Sequence, residues 1–249
     1  MTRVALLLLL AFPAHAAPVE AQYAAYAAGL QVVAMKAEFD VASAYHVHLS
    51  YRTTGAVNLL LHSAQDTKVD GQFSAEGRPQ PSQFLSTGTL RGAPRVTQID
   101  YRGGQPHIRQ LVPPSDEERE PVSAGQQANT IDTLSAMADL VHRVNTTGAC
   151  EGRATTFDGR RLAELEAYTA GRETLEATSR SSFTGPALRC TFTGRQVAGF
   201  RHGADAKDKE VQHGSAWFAS LTPTGPLIPV RISFRTRWFG DATMYLTGG

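Results

Sequence analysis

The chain holds only two cysteines, Cys150 and Cys190, in 249 residues, and no CxxC pair. The local motif of a reactive dithiol is therefore missing. Charge of one sign is missing too: 24 basic residues against 23 acidic ones give a net charge of +1, too little to favour a nucleic-acid partner. GxSxG, GxxxxGK[ST] and GxGxxG are absent, so the common hydrolase, nucleotide and dinucleotide signatures are not there and no cofactor is implied. Long apolar runs are also lacking. The one run that stands out, Val4 to Phe12, is too short for a bilayer of about 30 Å, which needs about 20 residues.

What is present begins with that run. Arg3 precedes it and Ala14-His15-Ala16 follows, the three-part pattern of a secretory signal peptide. Residues 1–16 are read as the signal, with cleavage after Ala16, and 17–249 as one β-rich domain with no membrane span after cleavage. Export to an oxidising compartment would pair Cys150 with Cys190. That disulfide closes a loop of about 40 residues and stabilises by about 3.9 kcal/mol on chain-entropy grounds.

The mature chain alternates as strands do. Val33, Met35, Ala37 and Phe39 share one face against Ala34, Lys36, Glu38 and Asp40. Tyr45, Val47, Leu49 and Tyr51 do the same against His46, His48, Ser50 and Arg52, and VNLLLHS after Gly55 reads as a third strand of an antiparallel meander. GQFSAEG, SQFLSTGTL, RVTQIDYRG, HIRQLV, RATTFDG, RRLAELEAY, TLEATSRSSF, LRCTFTGR, AWFASL and PVRISFRTRWF continue the pattern between turn signals.

One segment changes period. From Asp132 to Val144, residues Leu134, Met137, Ala138, Val141 and Val144 recur three and four apart, which predicts an amphipathic helix capped by Asp132 or Thr130. His142 and Arg143 suit the negative end of its dipole. If the sheet curls around its apolar face, the helix plugs the concave side, and Leu134, Met137, Val141 and Val144 either complete the core or line an apolar ligand site. The preceding VPPSDEEREPVSAGQQANT reads as a mobile surface loop.

The stretch CEGRATTFDGRR, residues 150–161, packs a thiol, two acids and three arginines together. Asp158-Gly159 reads as a two-residue hairpin turn, which makes Asp158 conformational rather than catalytic. Arg160 and Arg161 then leave on opposite strand faces, unable to grip one anion as a pair. Glu164 and Glu166 share a face, as ordinary strand surfaces allow. His46 and His48 form an H-x-H pair without a third ligand, so no metal is expected. Asn145-Thr146-Thr147 matches a glycosylation acceptor, a pattern common by chance.

The order of YAAYAAGLQVVAMKAEFDV, YHVHLSYRTTG, PSQFL, IDTLSA, FDGRR and PVRISFRTRWFG resembles the bacterial exported proteins of domain-of-unknown-function family 3108, and the cysteines beside FDGRR and in LRCTF resemble its alphaproteobacterial members. The resemblance implies a Gram-negative periplasmic setting and a mainly β fold: a strongly curved antiparallel sheet, a spiral or half-barrel similar to periplasmic lipoprotein carriers, with one internal helix. It implies no reaction. The expectation is a non-catalytic periplasmic protein serving envelope maintenance by binding an apolar ligand such as a lipid, or an envelope protein. A cell-envelope hydrolase or an accessory subunit is the alternative.

Overall fold

The computed structural model describes residues 18–236 and 240–249, so the proposed signal peptide lies outside the described residues. Its strands, in chain order, are β1 (Val19–Ala27), β2 (Leu30–Val41), β3 (Ala44–Thr53), β4 (Ser63–Phe73), β5 (Pro79–Leu90), β6 (Ala93–Arg102) and β7 (Gln105–Val112). After a long crossing come β8 (Gly152–Phe157), β9 (Leu162–Leu175), β10 (Gly185–Ala198), β11 (Gln212–Ser220), β12 (Leu227–Thr236) and β13 (Gly240–Gly248). Helices α1 (Gly55–Leu60), α2 (Ala124–Gln127) and α3 (Thr133–Thr147) occupy the connections.

All thirteen strands join one antiparallel sheet in the order β7-β6-β5-β4-β3-β2-β1-β13-β12-β11-β10-β9-β8. Two meanders therefore meet where the first strand pairs with the last, and the free edges are β7 and β8, which follow each other in the chain. These edges do not pair directly. The segment that links them crosses the gap: the Asn129 N–H donates to Gly104 O at 2.9 Å, the Ile131 N–H to Thr155 O at 3.1 Å, and the Phe157 N–H to Ile131 O at 2.8 Å. The result is a curled, barrel-like sheet laced shut along one seam.

The strand period explains the curl. Phe39, Val47, Val69, Phe84 and Ile99 face one another across β2 to β6 and all are buried. The expected inward faces of β2 and β3 are thus the observed ones. One row further along, Ala37 and Leu49 give way to Thr67, Ser86 and Thr97, where Thr67 and Ser86 share a hydrogen bond of 2.7 Å and Gln65 Nε2 donates to Ser86 at 2.7 Å. Buried hydroxyls need such partners.

The predicted helix is α3, three residues longer at its C-terminal end than the periodicity suggested. Asp132 is the N-cap, accepting from the Ser135 N–H, while Thr130 donates to Gln127 O instead. α3 packs against β2, β3, β4, β5, β8 and β12, so it fills the concave side. Leu134, Ala138, Val141 and Val144 are buried there, with Met137 partly so.

Several expectations need correction. VNLLLHS is not a strand: Gly55–Leu60 forms α1, with no buried residue, because β3 already ends at Thr53 and the chain must turn before β4. RRLAELEAY and TLEATSRSSF are not two strands. β9 continues past Gly171 to Leu175, paired to β10 on both sides of a register shift at Ala170, and residues 176–184 form the connection. Asp158-Gly159 is not a two-residue turn either: Phe157 pairs with Leu162, so the loop is four residues long and Asp158 does not adopt positive φ. The loop before α3 carries a one-turn helix at Ser115–Glu117 and α2, and buries Val122.

Candidate functional site

The register sets which connections share an end of the barrel. Ser63 pairs with Leu90, Leu90 with Ala93, and Val96 with Val112, so α1, the β5–β6 turn and the end of β7 lie together. The β8–β9 loop joins them. Gly159 has φ +89°, and a Cβ there would lie 2.7 Å from Thr97 Cγ2 and 3.3 Å from Leu111 Cδ1, so only glycine lets this loop rest on the inner face of β6 and β7.

Three loops converge there. Residues 118–120 run antiparallel to 200–202: the Glu120 N–H donates to Phe200 O at 2.9 Å and the His202 N–H to Glu118 O at 3.2 Å, with Arg119 opposite Arg201. Gly199, at φ +70°, backs directly onto Arg160 O, where a Cβ would overlap. Loop 113–120, loop 158–161 and segment 199–202 are thereby locked into one structure beside Arg95 of β6.

This structure gathers five guanidiniums. Arg95 forks onto Glu118 through two bonds of 2.7 Å. Arg161 pairs with Asp158, whose other oxygen accepts the backbone N–H groups of Arg160 and Arg161. Asp158 is therefore conformational, as expected. Arg160 donates to Pro113 O at 2.7 Å and Val112 O at 2.8 Å, and Arg119 to Gly199 O at 2.9 Å. Carbonyl oxygens hold a guanidinium but do not cancel its charge. Arg201 has no ion pair among the described residues, and Asp116, Glu117 and Glu120 are exposed and bridge none of these arginines.

The electrostatics follow. Burial lowers the Arg119 pKa, and Arg161 and Arg201 push the same way; burial likewise lowers Arg160, with Arg95 adding to it. Both remain charged at neutral pH. The hydrogen bond from Arg95 holds Glu118 below the usual carboxylate range. Burial raises Asp158, yet Arg161 and the backbone donors outweigh it and its pKa ends up lowered. Arg95 Nε is buried without a hydrogen-bond partner among the described residues. Guanidinium donors held only by carbonyl oxygens, partly desolvated, and one orphaned N–H are groups that can bind an oxyanion.

The residues singled out from sequence are distributed differently. Cys150 and Cys190 are joined, with a Cα–Cα distance of 5.9 Å, fastening the chain after α3 to β10. Leu134, Met137, Val141 and Val144 pack between α3 and the sheet, and none lines either of the two open clefts, of about 920 and 780 Å³. The larger cleft lies at the opposite end, among Tyr45, His46, Asp70, Arg78, Pro81 and Tyr101. His46 pairs with Asp70 and His48 with Asp66, both at 2.7 Å. Among the described residues no group of three or more His, Cys, Asp or Glu could hold a metal. Glu164 and Glu166 each pair with an arginine, Arg195 and Arg153. Asn145 spends its side-chain N–H groups on Val141 O and Leu227 O, which a glycan would displace. Arg160 and Arg161 do not grip an anion as a pair, but sequence reasoning missed Arg95, Arg119 and Arg201, which lie on other elements and carry no local motif.

The fold is similar to that of a solved beta-barrel-like protein of domain of unknown function DUF1849 from Brucella abortus, with a TM-score of 0.53 at 12% identity over 93% of this chain and 96% of that one. At that identity the likeness concerns the fold alone. No curated protein matches the chain. The motif order read from the sequence has its structural counterpart in one curled sheet with a helix beneath it, and the model of the family described as protein of unknown function (DUF3108) matches residues 22–247; the chain belongs to that family.

Proposed function

We propose that this is a non-catalytic, exported binding protein of the cell envelope that recognises a phosphate-bearing ligand at the arginine cluster. The observation that carries the reading is the set Arg119, Arg160 and Arg201, three guanidiniums without a carboxylate partner where three loops meet. Export is supported by the signal-like N-terminus and by the disulfide. The periplasm as the compartment is what the resemblance to bacterial exported proteins adds to this reading.

The other routes to a ligand fit less well. An apolar carrier needs an open concave side, and α3 occupies it. Partner binding by strand addition needs a free edge, but β8 is covered by Ile131 and β7 carries Pro106 and a bulge at Arg109, devices that discourage pairing. A hydrolase of the serine–histidine kind needs an imidazole beside a hydroxyl. Each hydrogen-bonded histidine among the described residues pairs with a carboxylate, an amide or a backbone carbonyl, none with a hydroxyl.

Calorimetric titration with inorganic phosphate at low salt tests the proposal. One site per chain is expected, weakened about tenfold or more for each of Arg119→Gln and Arg160→Gln, since a charge-assisted bond is worth about 1.5–3 kcal/mol. Absence of binding by the wild-type protein, or wild-type affinity in both variants, overturns it.

A further inference from the structure

The end of the barrel that carries the arginines also carries the most exposed apolar side chains of the described residues. Leu59 is 87% exposed and Leu60 86%, adjacent on α1, and Leu30 at the start of β2 is 59% exposed. The two elements touch: the Thr54 N–H, at the start of α1, donates to Val32 O at 3.0 Å. Scattered single leucines on a surface need no explanation, but a projecting group of three does.

Its surroundings are basic. Neither α1 nor residues 27–31 contains an acid. The Arg91 N–H donates to His62 O just beyond α1, and Arg180 reaches Gly29 O and stacks on Tyr26 beside the β1–β2 connection. Arg161, 54% exposed at its side chain, lies near Tyr51, which places the arginine cluster beside the strand that leads into α1. Leucines that project beside the exposed Arg91 and Arg180 complement a surface that is anionic outside and apolar beneath.

We propose that this end of the barrel docks onto a bilayer of phosphate-bearing anionic lipid, with Leu30, Leu59 and Leu60 entering the boundary between headgroups and acyl chains. The contacts of the arginine cluster with headgroups rest on the phosphate reading above; the leucine contacts do not. No helix of the described residues is long and apolar enough to cross a membrane, so the attachment is peripheral and reversible.

Co-sedimentation with vesicles tests it, using phosphatidylglycerol mixed with phosphatidylcholine and, in parallel, phosphatidylcholine alone. Wild-type protein should bind the anionic vesicles and release them as salt rises. Leu59→Ser with Leu60→Ser should weaken binding about tenfold or more while leaving phosphate titration unchanged, since both side chains are free of the fold. A Leu59→Trp variant should shift its emission to the blue and be quenched by brominated lipid only with anionic vesicles. Loss of phosphate titration with leucine-dependent vesicle binding intact would remove the headgroup role of the arginines and leave docking standing. Wild-type protein that ignores the vesicles, a double serine variant that binds as well as wild type, or a wild-type dimer that this variant dissociates would overturn the proposal, the last in favour of a second copy as the occupant.

Discussion

Replacing Asp132 with Asn isolates one buried proton. Asp132 is fully buried at the start of α3, where Oδ1 accepts from the Ser135 N–H at 2.8 Å and Oδ2 from the Ser135 hydroxyl at 2.6 Å, with Tyr45 donating to that hydroxyl at 2.9 Å. Burial pushes its pKa up to about 6 from 3.8, against the pull of the Ser135 hydrogen bonds. A carboxyl whose folded-state pKa is raised binds its proton more tightly in the folded protein. The associated stability is complete below about pH 4, falls as pH rises toward 6, and is gone above it. At about 1.36 kcal/mol per unit, the loss is about 3 kcal/mol. The Asn variant has no such proton, so the difference in unfolding free energy, variant minus wild type, should rise by about 3 kcal/mol between pH 4 and pH 7. Asp139 is also raised by burial, but it is present in both proteins and lies about 10 Å along the helix, so it cancels to first order. Urea midpoints for the two proteins at matched pH give this difference directly. Parallel stability curves, or a difference that falls with pH, would refute the reasoning.

The remaining predictions concern packing and cross-links. Leu134→Ala should destabilise by about 2–5 kcal/mol in urea, because the side chain is buried between α3 and the sheet. Thiol titration of unfolded, unreduced protein should find no free thiol, and Cys150→Ser with Cys190→Ser should cost about 3.9 kcal/mol for the lost 40-residue link. Gly159→Ala should cost about 1–3 kcal/mol from backbone strain and overlap with Thr97, and should weaken phosphate titration as well, because the same loop presents Arg160 and Arg161. Unchanged melting with unchanged phosphate affinity would show that the loop does not depend on Gly159.

How much was legible in the sequence depended on how local the cause was. In β2 and β3 each side chain either faces the core or does not, and neighbours two apart share that fate, so alternation reported the inward faces correctly. α3 announced itself by its own period and by Asp132. β4 did not, because its inward residues include Ser63 and Thr67, polar groups satisfied only by partners on other strands. β1 is rich in alanine and gave no strand signal, yet pairing with β2 and β13 makes it the centre of the sheet. The run at Leu59 to Leu61 looked like a strand because apolarity alone does not say whether a core is there to receive it.

By itself, then, the amino-acid sequence determined an antiparallel meander with one amphipathic helix and a pair of cysteines placed to cross-link, since those follow from short-range periodicity and from having two thiols, while the curl of the sheet was what the family resemblance implied. Only the tertiary structure decided that Arg95, Arg119, Arg160, Arg161 and Arg201 meet at one end. Those arginines come from four separate parts of the chain. Their proximity exists only once the sheet has curled far enough for its two edges to be laced together, and no local pattern encodes that closure.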